Sequence, residues 1–261
     1  MNSSIISWTT KTWNPTHGCS AISEGCRHCY AERLSLNKGF TSLPWTAANA
    51  PTNVTLKRHK LAEPTRLKDP SRIFVDSMSD LFHEQIPDDY LREVFGIMSA
   101  CPQHTFQILT KRPARAAAWP GPWPPNVWMG TSIENAHCLS RLSVLRDCPA
   151  AVRFVSFEPL LQDVGTLDLT GYSWAIVGGE SGPKFRPMPH YLARDIRDVC
   201  LDRGVAFFFK QSAAYRTEVG TSLHHGNGKF WSWQQFPGDL ADPTPAPAHR
   251  YTYEDAATVA A

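Results

Sequence analysis

The sequence lacks the apolar segments that carry a chain into or across a membrane. No run approaches the roughly 18–20 consecutive apolar residues that cross a bilayer. The first eight residues show neither the charged start nor the long apolar stretch of a signal peptide. An excess of charge of one sign is also missing: the formal net charge is +2, which by itself favours neither a nucleic-acid nor a membrane partner. We therefore expect a cytoplasmic protein with no membrane partner.

The sequence also lacks the cysteine pattern of a disulfide-stapled protein. It has seven cysteines, an odd number with uneven spacing, which fits poorly with a disulfide framework. Four of them stand alone and are expected to be small buried hydrophobic residues: Cys101, Cys138, Cys148 and Cys200. The other three crowd into residues 19–29, and this local density indicates a metal centre.

The remainder of the chain alternates short apolar runs with helical stretches, which predicts an α/β fold. Strands are expected at residues 5–9, 72–75, 105–109, 127–130, 152–157, 174–177 and 205–209. Helices are expected near residues 88–100, 112–118, 135–147 and 189–203. This alternation implies a parallel sheet with right-handed crossovers. We predict a partial or irregular (β/α) barrel of six to seven mostly parallel strands, with the cysteine-rich loop after the first strand.

A chain of 261 residues can form a single barrel domain, which we place at residues 1–240. Within it, residues 38–71 are predicted to be an insertion, and residues 212–240 a loop-rich extension. The insertion contains the basic stretch 57–60, for which a solvated surface and phosphate binding are both open. Residues 241–261, rich in Ala, Pro and Thr, are predicted to be a disordered tail.

Charged residues follow directly from several of the predicted strands. The carboxyl ends of parallel strands open on one face, where the active sites of such folds lie. Helix capping accounts for some polar residues at these positions, but it does not require Glu158, Glu180 or Lys210. We therefore interpret the strand ends as a site, whose candidates are Asp80, Lys111, Arg112, Glu158, Gly178, Gly179, Glu180, Ser181 and Lys210.

The cysteines Cys19, Cys26 and Cys29 have six and then two residues between them. An iron–sulfur cubane normally takes four thiolates, so three would leave one iron open to a reactant. A zinc site of the three cysteines with His17 or His28 is the main alternative. Zinc sites usually pair two short-spaced couples of ligands, and no second couple follows downstream, which favours a cluster.

The motif, with Tyr30 directly after the last cysteine, resembles the radical S-adenosylmethionine superfamily, whose cysteines are usually spaced by three and then two residues. A closer resemblance covers residues 8 to about 236 and is to a family of phage and prophage three-cysteine-motif proteins of largely unassigned function. The segments that carry it are Trp13-Asn14-Pro15, Cys26-Arg27-His28-Cys29-Tyr30-Ala31-Glu32, Ser77-Met78-Ser79-Asp80-Leu81-Phe82-His83, Leu109-Thr110-Lys111-Arg112-Pro113, Arg153-Phe154-Val155-Ser156-Phe157-Glu158-Pro159-Leu160, Val177-Gly178-Gly179-Glu180-Ser181-Gly182 and Phe208-Phe209-Lys210-Gln211. The segment at Leu109 is also faintly similar to the spore photoproduct lyase branch.

The resemblance implies a [4Fe-4S] cluster on the three cysteines, with S-adenosylmethionine bound at the open iron. An electron from the cluster would cleave the sulfonium, and the resulting 5′-deoxyadenosyl radical would take a hydrogen atom from the substrate. Gly178-Gly179-Glu180 is similar to the segment that meets the methionine amino group in the superfamily, although there it follows an early strand. Strand-end positions, taken together with this resemblance, lead us to expect cofactor contacts from Tyr30, Asp80, Gly178, Gly179, Glu180 and Ser181, and catalytic roles for Lys111, Glu158 and Lys210.

Lys210 has two open interpretations, since it could pair with the cofactor carboxylate or with Glu158 as a structural bridge. The substrate is expected to be a nucleoside or a nucleic-acid base, which could stack on Trp13 or Tyr30. The expected partners are an external electron donor, a nucleic-acid or nucleoside substrate and a possible partner protein.

Two rival functions stay open. One is a zinc-stabilised, non-catalytic module that binds nucleic acid or protein. The other is an iron–sulfur protein that uses S-adenosylmethionine for a non-radical transfer.

Overall fold

The structure is a computed structural model of the chain, and it describes residues 1–225, 228–238 and 246–247. The strands in chain order are β1 (Asn2–Ser3), β2 (Lys11–Trp13), β3 (Thr16–His17), β4 (Thr55–Leu56), β5 (Arg72–Val75), β6 (Thr105–Thr110), β7 (Val127–Ser132), β8 (Val152–Phe157), β9 (Trp174–Gly178), β10 (Ala206–Gln211), β11 (Leu223–His224), β12 (Phe230–Ser232) and β13 (Ala246–Pro247). The α-helices are α1 (Tyr30–Asn37), α2 (Ala50–Asn53), α3 (Asp88–Ser99), α4 (Pro113–Ala118), α5 (Ser140–Arg146) and α6 (His190–Arg203). Short 3-10 turns cover Glu24–Cys26, Arg58–Lys60, Pro64–Arg66 and Ala136–Cys138.

The main sheet has the hydrogen-bonded strand order β1-β2-β5-β6-β7-β8-β9-β10. Strand β1 runs antiparallel to β2 at one edge. Strands β2, β5, β6 and β7 pair in parallel, as do β8, β9 and β10. Within the described residues the protein is therefore a mixed α/β fold with a seven-stranded parallel sheet, which confirms the predicted partial (β/α) barrel.

The chain divides into two compact units, of which the first comprises residues 1–131 and 143–153. Its core is aromatic and includes the buried side chains of Trp13, Phe82, Phe95 and Phe106. Helix α3 begins with two aspartates, which complement the positive end of the helix dipole, and it buries Leu91, Val94, Phe95 and Met98. This helix forms as its sequence predicts.

The second compact unit comprises residues 132–142 and the described residues from 154 onward. Its core includes Phe154, Trp174 and the consecutive aromatic residues 207–209 of β10, all of them buried. Helix α6 is capped at its C-terminal end by Gly204, whose φ of +63° is the left-handed conformation that glycine adopts without a Cβ penalty. The predicted single domain at residues 1–240 stays a prediction, and the predicted tail at 241–261 lies outside the described residues, apart from 246–247.

The predicted strand at residues 5–9 is wrong. These residues form a turn, in which the amide of Thr9 donates to the carbonyl of Ile6, and the Ile5 side chain is exposed. The first parallel strand is instead β2, because Lys11 to Trp13 are in register with β5. The cysteine-rich loop follows β2 and the short β3, which fits the predicted position after the first strand. Helix α1, directly after the last cysteine of the motif, was not predicted. Among the described residues, no helix combines the length and apolar character needed to cross a membrane.

Candidate functional site

The three cysteines of the motif lie in one loop, which we call the cysteine loop (residues 18–29). The loop makes a short 3-10 turn ending at Cys26, and Cys29 is the residue that caps the start of α1. All three thiols are free and half-buried. Burial raises the pKa of Cys19 and of Cys29, and the charge of Cys26 raises both further. Cys26 therefore lies within electrostatic reach of both other thiols.

The cysteine loop is tied to the segment that follows β5, which we call the tether segment (residues 76–80). The amide of Gly18 donates to the carbonyl of Met78 at 3.0 Å. The Ser79 hydroxyl donates to the carbonyl of Gly18 at 2.6 Å. The Ser-Met-Ser-Asp motif of the sequence thus supplies main-chain and side-chain partners that hold the start of the cysteine loop at the end of a parallel strand.

The two aromatic residues proposed for base stacking differ in exposure. Tyr30 is 44% exposed, and its hydroxyl donates to the carbonyl of Ser77 in the tether segment at 2.6 Å. Trp13 has no exposed surface, and its indole N–H donates to the carbonyl of Lys60. Trp13 is therefore a core residue that cannot stack on a base, and Tyr30 has the ring face that such an interaction needs.

Gly18 occupies a position that no other residue fits. Its φ is +87°, and a Cβ built on it would lie 2.1 Å from the carbonyl oxygen of Asn53 in α2. The main chain of the predicted insertion thus packs directly against the first residue of the cysteine loop. This contact gives the insertion a structural role at the site that its weak periodicity did not reveal.

Asp76, the first residue after β5, anchors the strand that leads into the cysteine loop. Its carboxylate accepts hydrogen bonds from the Thr16 amide at 3.1 Å and from the Thr16 hydroxyl at 2.7 Å. The residue is 3% exposed and has a φ of +61°. Burial raises the pKa of this carboxyl group to about 8, against the opposing effect of the Thr16 hydrogen bonds. Asp76 was not among the predicted site residues, although its place directly after a strand was a usable signal.

Asp80 and Arg112 form a buried ion pair, with 3.2 Å between Arg112 Nη1 and Asp80 Oδ2. Asp80 also accepts hydrogen bonds from the Thr110 hydroxyl at 2.6 Å and from the Lys111 amide at 3.1 Å. Both carboxylate oxygens are therefore engaged within the protein. The observed partners of Asp80 join the tether segment to the end of β6. Contact between Asp80 and the cofactor stays a prediction.

Two cations lie beside the cysteines. Arg112 Nη1 donates to the sulfur of Cys19 at 3.5 Å. Burial, followed by the charge of Asp80, raises the pKa of Cys19 to about 12, and the charge of Arg112 opposes this rise. At Cys29 burial again raises the pKa, whereas the amides of Glu32 and Ala31 and the charge of Lys111 lower it. The surroundings thus offer a thiolate compensating positive charge and N–H donors.

Of the two histidines named for the zinc alternative, His17 has structural partners of its own, whereas the zinc role of His28 stays a prediction. His17 Nε2 shares a hydrogen bond with the Ser35 hydroxyl at 3.0 Å, and its ring packs edge-on against Phe40 and Trp45. Burial, with smaller effects from Lys57 and Lys60, lowers the pKa of His17 to about 4. The imidazole is therefore neutral at physiological pH and packed between α1 and the segment that follows it.

The donor set suits an iron–sulfur cluster in its chemistry. Three thiols in a twelve-residue loop, beside Lys111 and Arg112, match the soft ligands and the negative charge of a thiolate-bound cluster. Among the described residues, no group of three or more His, Cys, Asp or Glu side chains is positioned to hold a metal ion. The fit is therefore one of donor type and charge.

The second unit contains a separate group of charged residues at the ends of β8 and β10. Lys210 is 7% exposed, and its Nζ lies 2.5 Å from Glu158 Oε1 and 3.9 Å from Glu218 Oε1. A Cβ on Gly178 would lie 3.3 Å from the carboxyl carbon of Glu158, so this glycine leaves room for the ion pair. The structure thus has the Lys210–Glu158 pairing, which was one of the two interpretations of Lys210.

The Gly179-Glu180-Ser181 segment is engaged by neighbouring loops. A Cβ on Gly179 would lie 2.2 Å from the amide nitrogen of Ala213. The Glu180 carboxylate is 95% buried and accepts three N–H groups of Arg186: its amide at 2.8 Å, Nε at 3.0 Å and Nη2 at 2.5 Å. Ser181 bridges to Ala214 through its main chain. Cofactor binding by this segment stays a prediction, and a ligand would have to displace Arg186 to reach the carboxylate.

The comparisons with known proteins place the chain in a family without transferring an activity to it. No curated protein matches the chain, and no solved structure does. One family model, described as "Protein of unknown function (DUF5131)", matches residues 3–240. Because this match spans most of the 261 residues, the chain belongs to the DUF5131 family.

Proposed function

We propose that the protein is an iron–sulfur enzyme that binds a [4Fe-4S] cluster and S-adenosylmethionine and performs radical chemistry. The observation that carries the proposal is the cysteine loop itself: three half-buried free thiols within one twelve-residue loop, with a guanidinium directed at one sulfur. Cys19, Cys26 and Cys29 would hold the cluster. When bound, the cluster would supply an electron to S-adenosylmethionine, and this would start the radical reaction.

The protein's own residues would hold the cysteine loop rigid and partly shielded from water. The loop is attached through Gly18 to the tether segment, through Tyr30 to Ser77, and through Arg112 to the end of β6. Such preorganisation matters because a reactive intermediate survives only where water is excluded and the substrate is held in place. Lys111, beside Cys29, would add positive charge to the binding of an anionic group.

A nucleoside or a nucleic-acid base is the substrate that we propose. Lys57 and Lys60 lie close enough to His17, the residue before Gly18, to lower the pKa of its imidazole. Positive charge is therefore present near the start of the cysteine loop. Tyr30 offers an exposed ring next to Cys29 for stacking. Arg58 of the same basic stretch is paired with Glu93 and is not part of this charge.

The proposal includes a cytoplasmic location and an external electron donor. The seven free cysteines fit a reducing compartment, where thiols are not oxidised to disulfides. A one-electron donor is needed because S-adenosylmethionine has no reducing equivalent of its own. The catalytic roles of Glu158 and Lys210 belong to the proposal as well, with their ion pair holding both side chains in place.

The test is an analysis of the products from S-adenosylmethionine under anaerobic, reducing conditions. We expect the reconstituted protein with dithionite to release 5′-deoxyadenosine and methionine. Two single variants are compared. Cys26→Ala should abolish product formation, whereas Cys101→Ala, which replaces a buried cysteine outside the loop, should form product as the wild type does. S-adenosylhomocysteine would instead indicate methyl transfer. An inert protein containing one zinc would contradict the proposal and favour a binding module.

A further inference from the structure

The side chain of Arg112, which lies just after β6, reaches into the cysteine loop. It is 7% exposed, and all of its side-chain nitrogens are engaged. Nε donates to the Glu84 carboxylate at 3.0 Å, and Nη1 donates to Asp80 at 3.2 Å and to the Cys19 sulfur at 3.5 Å. Nη2 donates to the carbonyl and to the hydroxyl of Ser20 at 3.1 and 3.0 Å.

These contacts fix the guanidinium at both ends. Asp80, on one side, is itself held by the Thr110 hydroxyl and the Lys111 amide. Ser20, on the other side, shares its hydroxyl with His83 Nε2 at 2.9 Å. A planar guanidinium with this many partners cannot turn away from Cys19 without breaking several hydrogen bonds. The N–H group directed at the sulfur is therefore part of the built structure of the loop.

We infer that Arg112 is a positioning residue that sets the reduction potential of the cluster held by Cys19. The inference rests on the proposed function, because it assumes that a cluster is bound. Adding an electron makes a thiolate-bound cluster more negative. A nearby positive charge and an N–H donor to a ligand sulfur both stabilise that reduced form, and the effect is strong in a partly buried site.

The charge of Asp80 opposes that of Arg112 at Cys19, so removing Arg112 would leave a buried carboxylate uncompensated beside the sulfur. The other carboxylate partner of Arg112, Glu84, is largely exposed and screened by water. Lys111 adds a second positive charge close to Cys29. The N–H group of Arg112, unlike its charge, acts on one sulfur at contact distance, which gives Cys19 a different environment from the other two cysteines.

A purely structural role for Arg112 makes a different prediction. If Arg112 only fastened the loop, its replacement would lower stability or cluster occupancy and leave the potential of the remaining cluster unchanged. The potential is therefore the measurement that separates the two roles. Arg115 is the matched control, because it is a nearby arginine in α4 whose donors go to His83, Ile86 and Asp88, which lie outside the cysteine loop.

The experiment compares the wild type with Arg112→Gln, Arg112→Lys and Arg115→Gln after anaerobic reconstitution. Iron and sulfide are measured per chain, and the potential is measured by a reductive titration followed by visible absorbance and electron paramagnetic resonance. For Arg112→Gln we expect about a tenfold change in the one-electron equilibrium towards the oxidised form, which corresponds to about 59 mV in the negative direction. Arg112→Lys should shift the same way by less, and Arg115→Gln should match the wild type.

Each outcome decides the inference. A cluster in Arg112→Gln or Arg112→Lys with the wild-type potential overturns it and leaves the proposed function intact. If Arg112→Gln binds no iron, the Arg112→Lys potential decides, since this variant retains the charge and lacks the fork of donors. A wild-type protein that binds no iron–sulfur cluster overturns the proposed function and this inference together.

Discussion

Replacing the buried carboxyl group of Asp76 by an amide should stabilise the protein at neutral and alkaline pH. The carboxyl group has a pKa of about 8 in the folded chain, chiefly because it is buried, and an unfolded aspartate has a pKa of about 3.9. Between these values the folded chain keeps the proton that the unfolded chain has lost. Stability therefore falls as the pH rises through this window, by about 1.4 kcal/mol per pH unit, and levels off above about pH 8.

The variant Asp76→Asn has no proton to lose. Its side-chain oxygen can still accept the hydrogen bond of the Thr16 amide, and asparagine tolerates the φ of +61° at this position. Between about pH 5 and pH 8 the free energy of unfolding of the wild type should fall relative to the variant by up to about 4 kcal/mol. That is a large share of the roughly 5–15 kcal/mol that holds a typical domain together.

Urea unfolding of both proteins at several pH values measures this difference. The buried histidines titrate in both chains, so their effect cancels when the two curves are subtracted. Asp69→Asn, which removes an exposed carboxylate, is the control and should keep the pH dependence of the wild type. A difference between wild type and Asp76→Asn that stays constant across the pH range would refute the reasoning, because the carboxyl group would then titrate alike in both states.

Two further substitutions, one in each compact unit, test internal contacts by their effect on the free energy of unfolding. Gly18→Ala should cost about 1–3 kcal/mol more than Gly39→Ala in urea unfolding, because both have a positive φ and only Gly18 meets a main-chain carbonyl at 2.1 Å. Equal losses would show that the Asn53 contact relaxes freely. Arg186→Ala should cost about 3 kcal/mol in the same assay, since it removes both guanidinium donors of the buried Glu180 carboxylate and leaves only the main-chain amide of that residue. The exposed Arg203→Ala should cost less than about 0.5 kcal/mol. A loss for Arg186→Ala as small as that of Arg203→Ala would mean that water replaces the missing donors.

The regular elements were predictable from the sequence because their signals are local. Strand β8 has the predicted bounds of residues 152–157, and α3 lies within the predicted 88–100. Residues 5–9 are as apolar as a strand, but a strand also needs a hydrogen-bonding partner. It is Lys11–Trp13 that pairs with β5, and this pairing cannot be read from the local sequence. Helix α1 was missed because its short sequence is polar on most sides, and its start is set by the cysteine that caps it.

The contacts that build the site were not predictable, because they join distant parts of the chain. Arg112 and Cys19 are 93 residues apart in the sequence, and nothing local relates them. The strand-end rule selected Glu180, Glu158 and Lys210 for their position, but it cannot tell whether a charged side chain has an internal partner. The structure supplies that partner in each case: Arg186 for Glu180, and the Lys210–Glu158 pair itself.

Metal content is the most direct test of the claim that the cysteine loop holds an iron–sulfur cluster. Iron, sulfide and zinc should be measured per chain after anaerobic purification, for the wild type, Cys26→Ala and the control Cys101→Ala, with circular dichroism to confirm folding. The account predicts about four irons with matching sulfide in the wild type and the control, and a folded but iron-free Cys26→Ala. One zinc and no iron in the wild type, or a Cys26→Ala that keeps its iron, would contradict it.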